Sequence, residues 1–284
     1  MTAIKDNKKR NNEVWDAFLA KYPKRGIVLR RYEEAIYGEA SWDSFSKSSL
    51  SLFITHLKDK VSQNSARTYA SQMKAFLNTY KEMCPRLVGD WEKSLLVRKI
   101  PTTFITLNEE EIDKIAAFAI NGEGDAVENA VAASFAVCAY TGCRLSDLPV
   151  ISRQDLSKDT LRYVSMKTHI TTEVPIAPVV RELVPLVEEF SISAYNRNIR
   201  EVCRKLNINS PSNVYKGGVH QEGAKWEFVS SHTARRSFAT NLHRRGGSLH
   251  TISKLMGHTN YDQTKTYINF NINDMDDAVL SFFK

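Results

Sequence analysis

Residues 230–242 read SSHTARRSFATNL and residues 257–267 read GHTNYDQTKTY, and the fold and chemistry of the chain are decided by these two stretches. His232 precedes Arg235 by three positions, one helical turn, so on a helix the two side chains share a face. Arg236 points about 100° away from its neighbour, so at most one of the two guanidinium groups serves that face. Gly257 marks an expected helix end, with His258 just beyond it. Tyr267 follows His258 by nine residues, and Tyr261 is a second phenol in the same segment. These are groups that suit a phosphodiester. Under attack the phosphorus becomes pentacoordinate and its non-bridging oxygens gain negative charge. Guanidinium is always charged, planar and able to donate two parallel hydrogen bonds to them. Histidine can donate to a phosphate oxygen or move a proton near neutral pH. Tyrosine, with an ordinary pKa of about 10, is a poor nucleophile until nearby cations favour the phenolate.

Working outward, Arg144 in TGCRLSD supplies a second guanidinium near a helix boundary. Asp147, three residues later, reads either as a helix N-cap or as a carboxylate supporting the site from behind. Lys167 lies between two strand-like runs, on the turn of an expected hairpin, where a general acid can reach a leaving 5′ oxygen. Taken singly, each arginine reads as a surface charge and each histidine as structural; the joint pattern points to phosphodiester chemistry. That chemistry asks for no metal and no nucleotide cofactor. NGEGDA at 121–126 is a turn lacking both the Walker lysine and the GxGxxG pattern. Cys84, Cys138, Cys143 and Cys203 form neither a CxxC nor a zinc spacing and read as reduced packing thiols.

The first third reads as four helices over residues 11–95: VWDAFLAKY, VLRRYEEAIYG, SKSSLSLFITHLKDK and SQNSARTYASQMKAFLNTYKEM. In the last, Tyr69, Met73, Phe76, Leu77 and Tyr80 make an apolar stripe at helical spacing. Arg67, Lys74 and Lys81 lie off the stripe and are the candidate DNA contacts. Residues 1–10 read as a tail and 96–106, with Pro101, as a linker. In 107–284, Asn108 and Glu111 carry a capping-box signal. AVENAVAASFAVCAY is a buried helix closed by Gly142. VISRQDL, TLRYVSM and TTEVPIA have strand content. SAYNRNIREVCRKLNI is a helix, a Gly/Pro/Asn-rich loop runs to about Gly223, and helices are expected around 233–245, 248–257 and 274–283. Met275, Ala278, Val279 and Phe282 give the final helix one apolar face, which must dock on its own domain or on a neighbouring protomer.

The 284 residues are enough for two domains, and 42% hydrophobic with 25% charged residues is ordinary for a globular protein. The formal charge of +7 is unevenly placed. Residues 1–100 hold 19 Lys and Arg against 11 Asp and Glu, whereas residues 101–284 hold 20 against 21. A polyanion is the natural partner of so basic a first third. No apolar run has the length of a membrane span, and the N-terminus lacks a signal peptide's apolar region. A cytoplasmic protein without a membrane partner is expected.

The order Arg…Lys…HxxR…GH…Tyr resembles the tyrosine recombinase, or phage integrase, family. TGCRLSDL resembles its first arginine box, SHTARRSFATNL its second, LMGHTNYDQTKTYI its final box, and MKTHITTEVPI the hairpin that carries its lysine. The specific match runs over roughly 107–270, and 40–83 more weakly resembles the helical core-binding domain. The resemblance implies a mainly α fold with a small antiparallel β-sheet: a SAM-like four-helix DNA-binding domain over 11–95 and an α+β catalytic domain over 107–284. It implies that Arg144, Arg235, His232 and His258 hold the scissile phosphate, that Lys167 is the general acid, and that Tyr267 forms a 3′-phosphotyrosyl bond. Asp147 matches a supporting acidic position. The implied partners are double-stranded DNA with inverted-repeat core sites, a homo-tetramer assembled on it, and accessory DNA-bending or directionality factors. Many integrases carry an additional N-terminal arm-binding domain; here only the tail 1–10 precedes the first helix, which leans toward a simple recombinase acting on short core sites.

Two other readings compete. A type IB topoisomerase-like enzyme would use the same nucleophile without synapsis, and a DNA-binding regulator would have kept the fold and lost catalysis. The complete set of catalytic residue types argues against the second.

Overall fold

The structure, a computed structural model, describes residues 12–152, 154, 156, 159–258 and 260–269. The tail at 1–10 and the helix expected at 274–283 lie outside the described residues. The chain divides into two compact units, one reaching to Thr102 and including Tyr215–Val219, the other formed by the remainder from Thr103.

The first unit contains α1 (Glu13–Lys21), α2 (Gly26–Ile36), α3 (Lys47–Lys60) and α4 (Gln63–Thr79), and all but α2 start where a hydroxyl or amide side chain caps them. Asn12 accepts from the Val14 and Trp15 amides, Ser46 from Ser49, and Ser62 from Ser65. The helices close on a core rich in aromatics. Phe18 meets Phe76 edge-on at 5.1 Å, and Tyr32 stacks on Phe45 at 4.8 Å. The stripe on α4 buries Met73, Phe76 and Leu77, with Tyr69 and Tyr80 packed at its margin. Arg67 and Lys81 are exposed, while Lys74 lies 3.7 Å from Glu92. In the first turn of α4 the Asn64 side chain grips both backbone groups of Ile100, each at 3.0 Å.

The second unit contains α5 (Glu109–Asn121), α6 (Ala126–Thr141), α7 (Leu148–Ile151), β1 (Thr160–Val164), β2 (Thr171–Pro175), α8 (Pro178–Leu183) and α9 (Ile192–Lys205). After them come β3 (Pro211–Lys216) and β4 (Val219–Ala224), whose connecting residues Tyr215–Val219 count with the first unit, and then α10 (Ser231–Arg244), α11 (Leu249–Leu255) and α12 (Tyr261–Lys265). Helix α6 is apolar on nearly every side and is the hub, packed against α5, α8, α9 and α10. Capping boxes open both α5, through Asn108 and Glu111, and α6, through Asp125 and Glu128. Strands β1 and β2 pair antiparallel, Leu161 opposite Val174 and Tyr163 opposite Thr172, with those four side chains buried.

The mainly helical fold with small two-stranded sheets agrees with the sequence. Three local readings do not. VISRQDL does not begin as a strand: Leu148–Ile151 is a helical turn, because Pro149 lacks the amide a central strand needs and is tolerated at a helix start. The loop expected before Gly223 holds β3 and β4, turned by Gly217 and Gly218 at φ 65° and 91°, a two-residue geometry that glycine adopts without a Cβ penalty. Helices α8 and α12 were not foreseen; at six and five residues they are too short to show a period.

Candidate active site

The site is assembled wholly within the second unit. Arg235 sits in the second turn of α10 and is 1% exposed. It donates through Nη1 to the carbonyl of Gly142, at the end of α6, and through Nη2 to the carbonyl of Met256, after α11, at 2.6 Å. The same Nη2 lies 2.8 Å from Nε2 of His258. One guanidinium therefore ties together the three segments that the sequence singled out. Its Nε is buried with no hydrogen-bond partner, a donor left over at the centre of a cationic cluster. Burial lowers the pKa of Arg235, and the charge of Arg144 adds to this; guanidinium nonetheless stays charged.

Arg144 follows the α6 cap and donates from Nη1 to Ser165 Oγ at 3.2 Å. Asp147, fully buried, is more than an N-cap. It accepts from the Arg144 amide at 3.4 Å, from Ser165 Oγ at 3.3 Å and from the Met166 amide at 3.0 Å. That carboxylate links the Arg144 loop to the β1–β2 turn, where Lys167 is exposed. His232 stands at the solvent-facing start of α10. Its pKa is lowered, first by the protein packed around it and then by the charges of Arg236, Arg235, Lys167 and Arg144, so Lys167 lies within electrostatic reach of the cluster.

His258 is held between Arg235 and Thr264, whose Oγ1 is 2.9 Å from Nδ1. Burial, then Arg235 and Arg144, press its pKa down to about 4, which makes the ring neutral near pH 7. The Tyr267 ring lies 5.2 Å from the His258 ring and 5.5 Å from the Arg235 guanidinium carbon, centroid distances that put the phenol beside both. Thr240 on α10 holds the backbone around it, donating to the Tyr267 carbonyl at 3.4 Å and accepting from the Asn269 amide at 3.1 Å. Tyr261 faces elsewhere: its hydroxyl is 2.6 Å from His250 Nδ1. Arg236 lies over the Phe104 ring at 4.1 Å. Among the described residues, no three of His, Cys, Asp and Glu are grouped as metal ligands, no helix is long and apolar enough to cross a membrane, and the four cysteines are free and buried.

The sequence matches the phage integrase family over residues 106–273, more than half of the chain. The chain belongs to the phage integrase family. Like other members it is a tyrosine-type recombinase, an enzyme that breaks and rejoins DNA strands in site-specific recombination, and DNA is its partner. It is 27% identical over 220 residues to a tyrosine recombinase of Thermosipho africanus, covering 74% of this chain and 73% of that one. It is 23% identical over 243 residues to the tyrosine recombinase XerD of Oceanobacillus iheyensis, covering 80% and 79%. Among solved structures, the Tn1549 transposon integrase in complex with transposon right-end DNA superposes with a TM-score of 0.66 at 15% identity over 95% of this chain and 99% of that one; this likeness shows the fold.

Ser165, Thr240 and Thr264 escaped the sequence reading of this integrase family member. Each acts through a contact 6 to 29 residues away in the chain, and an isolated serine or threonine carries no periodic signal.

Proposed function

We propose that Tyr267 is the nucleophile of this recombinase and that Arg144, Arg235, His232 and His258 clamp the scissile phosphate. The phenol oxygen bonds to phosphorus, the bond from phosphorus to the 5′ oxygen breaks, and Lys167 gives that oxygen its proton. The 3′-phosphotyrosyl ester keeps the energy of the backbone bond, so rejoining needs no second energy source. Asp147 acts behind the site by fixing Arg144 and the Lys167 turn to one another. The observation that carries the reading is the buried Arg235 with a free Nε, beside His258 and the Tyr267 ring.

The basic first unit is the DNA-binding domain in this proposal, with Arg67, Lys74 and Lys81 as phosphate contacts. Lys74 is the weakest of the three because Glu92 already offsets its charge. Four protomers act together on inverted-repeat core sites in the cytoplasm, with accessory DNA-bending or directionality factors. A nicked suicide substrate tests the chemistry. Wild-type protein is expected to accumulate as a covalent complex, and Tyr267→Phe to bind the same DNA without one. A covalent complex with Tyr267→Phe sinks the assignment and turns attention to Tyr261.

A further inference from the structure

Lys167 is exposed on the β1–β2 turn, so its place is set by what holds the hairpin beneath it. The turn is closed on itself: the Ser165 amide donates to the Ile170 carbonyl at 3.0 Å, and the His169 amide to the Ser165 carbonyl at 2.8 Å. The Ser165 end is tied to Arg144 and Asp147. The other end runs into β2, which packs against α11. There Thr172, opposite Tyr163 in the ladder, is buried, and its hydroxyl oxygen has no hydrogen-bond partner. What that oxygen meets is Gly257. A Cβ on this glycine would lie 2.5 Å from Thr172 Oγ1, against 3.8 Å from its Cβ and 4.0 Å from its Cγ2, so the contact is made by the oxygen. Gly257, at φ 61°, closes α11: its amide donates to the Lys254 carbonyl and the His258 amide to the Ser253 carbonyl, each at 3.0 Å. These are the two bonds of a Schellman cap, and they fix the backbone of His258.

We propose that Thr172 is a positioning residue: its hydroxyl sets how closely the Lys167 hairpin approaches the Gly257–His258 cap, and so where the general acid stands relative to the phosphate clamp. This rests on the reading of Lys167 as the proton donor to the 5′ oxygen. A buried hydroxyl without a partner lowers stability, and valine, of nearly the same shape, is free of that cost. Valine, however, sets a methyl group where the oxygen lies against the glycine. A methyl group is wider than an oxygen, and a packed interior answers such an addition by moving its backbone. The hairpin is then held off the cap, and Lys167, at the end of a turn closed on itself, moves with it. Stability and cleavage therefore part company at this residue, which plain packing does not predict.

The test compares Thr172→Val and Thr172→Ser, in the full chain, on two nicked suicide substrates: ordinary DNA, and the same DNA with sulfur in place of the bridging 5′ oxygen at the scissile phosphate. A thiolate leaves without taking a proton, so the second substrate does not call on a general acid. Thr172→Val is expected to have a urea midpoint at or above that of wild type. It is expected to cleave ordinary DNA about 10–100-fold more slowly, the scale on which a displaced catalytic group costs rate, and the sulfur substrate at a near wild-type rate. Thr172→Ser, which keeps the oxygen, is expected to match wild type on both. Normal cleavage of ordinary DNA by Thr172→Val, or equal slowing on the two substrates, overturns the proposal. An equal loss in Thr172→Ser also overturns it. Lys167→Ala is read on the same pair and is expected to be slow on ordinary DNA alone. Slow cleavage of both substrates by Lys167→Ala would instead remove Lys167 as the proton donor, a failure seen without any Thr172 variant.

Discussion

Arg235 and His258 are joined from Nη2 to Nε2 across 2.8 Å, and the arginine in this pair is also the structural pin of its unit. Its two backbone contacts reach Gly142 and Met256, 93 and 21 residues away in the chain. The residue proposed to grip phosphate therefore also holds the site in shape, and its replacement has two separable consequences.

Arg235→Lys is expected to lower both cleavage and stability. Lysine cannot span both carbonyls and His258, and buried acceptors left unmade cost about 1–3 kcal/mol each. Arg144→Lys, which breaks one side-chain bond at a half-buried position, is expected to lose several orders of magnitude in cleavage with under about 1 kcal/mol of stability. Urea unfolding beside suicide-substrate kinetics checks both; equal stability losses would contradict the distinction.

Asp147→Ala strips acceptors from the Arg144 and Met166 amides and frees the Lys167 turn from the arginine loop. A cleavage loss of about 10–100-fold is expected, with Asp147→Asn retaining more activity because its carbonyl oxygen can still accept. A variant that is destabilised yet cleaves normally would reduce Asp147 to a folding residue.

Gly142→Ala tests the close packing behind Arg235. At φ 69° an L side chain is strained, and a Cβ would fall 2.5 Å from the Phe238 ring. A loss of about 2–4 kcal/mol is expected. Gly246→Ala has a similar φ of 86° with open space around it, so about 1 kcal/mol is expected there. Matching thermal shifts for the two would contradict the packing argument.

Acid should loosen the site. The pKa of His258 is about 4 in the fold against 6.5 for the free group, so between those values the unfolded chain binds more protons. The contribution is complete above about pH 6.5 and disappears as pH falls toward 4; its size is at most about 3 kcal/mol. The urea midpoint of wild type is expected to drop more between about pH 7 and pH 5 than that of His258→Asn. Parallel drops would contradict the depressed pKa.

Arg67→Ala and Lys81→Ala are each expected to reduce the salt slope of DNA binding by about one, as the loss of a phosphate contact does, and Lys74→Ala by less. An unchanged slope would remove that residue from the interface.

Much of this was legible in the sequence because the signals are local. The Asn108–Glu111 capping box, the α4 stripe and the His232–Arg235 spacing each involve residues within a few turns of one another. What the sequence hid is long-range or short. Asp147 reads equally as an N-cap until Met166 is brought beside it. Arg235 reads as a surface charge until α6 and α11 cover it. The helical turn at Leu148–Ile151 and helix α12 are too brief for periodicity to separate from strand or loop.

The central claim, that Tyr267 attacks the DNA, is tested most directly by mass spectrometry of the protease-digested covalent complex. The account expects a nucleotide adduct on the peptide containing Tyr267 and none on Tyr261. An adduct mapped to Tyr261, or to any residue other than Tyr267, would contradict it.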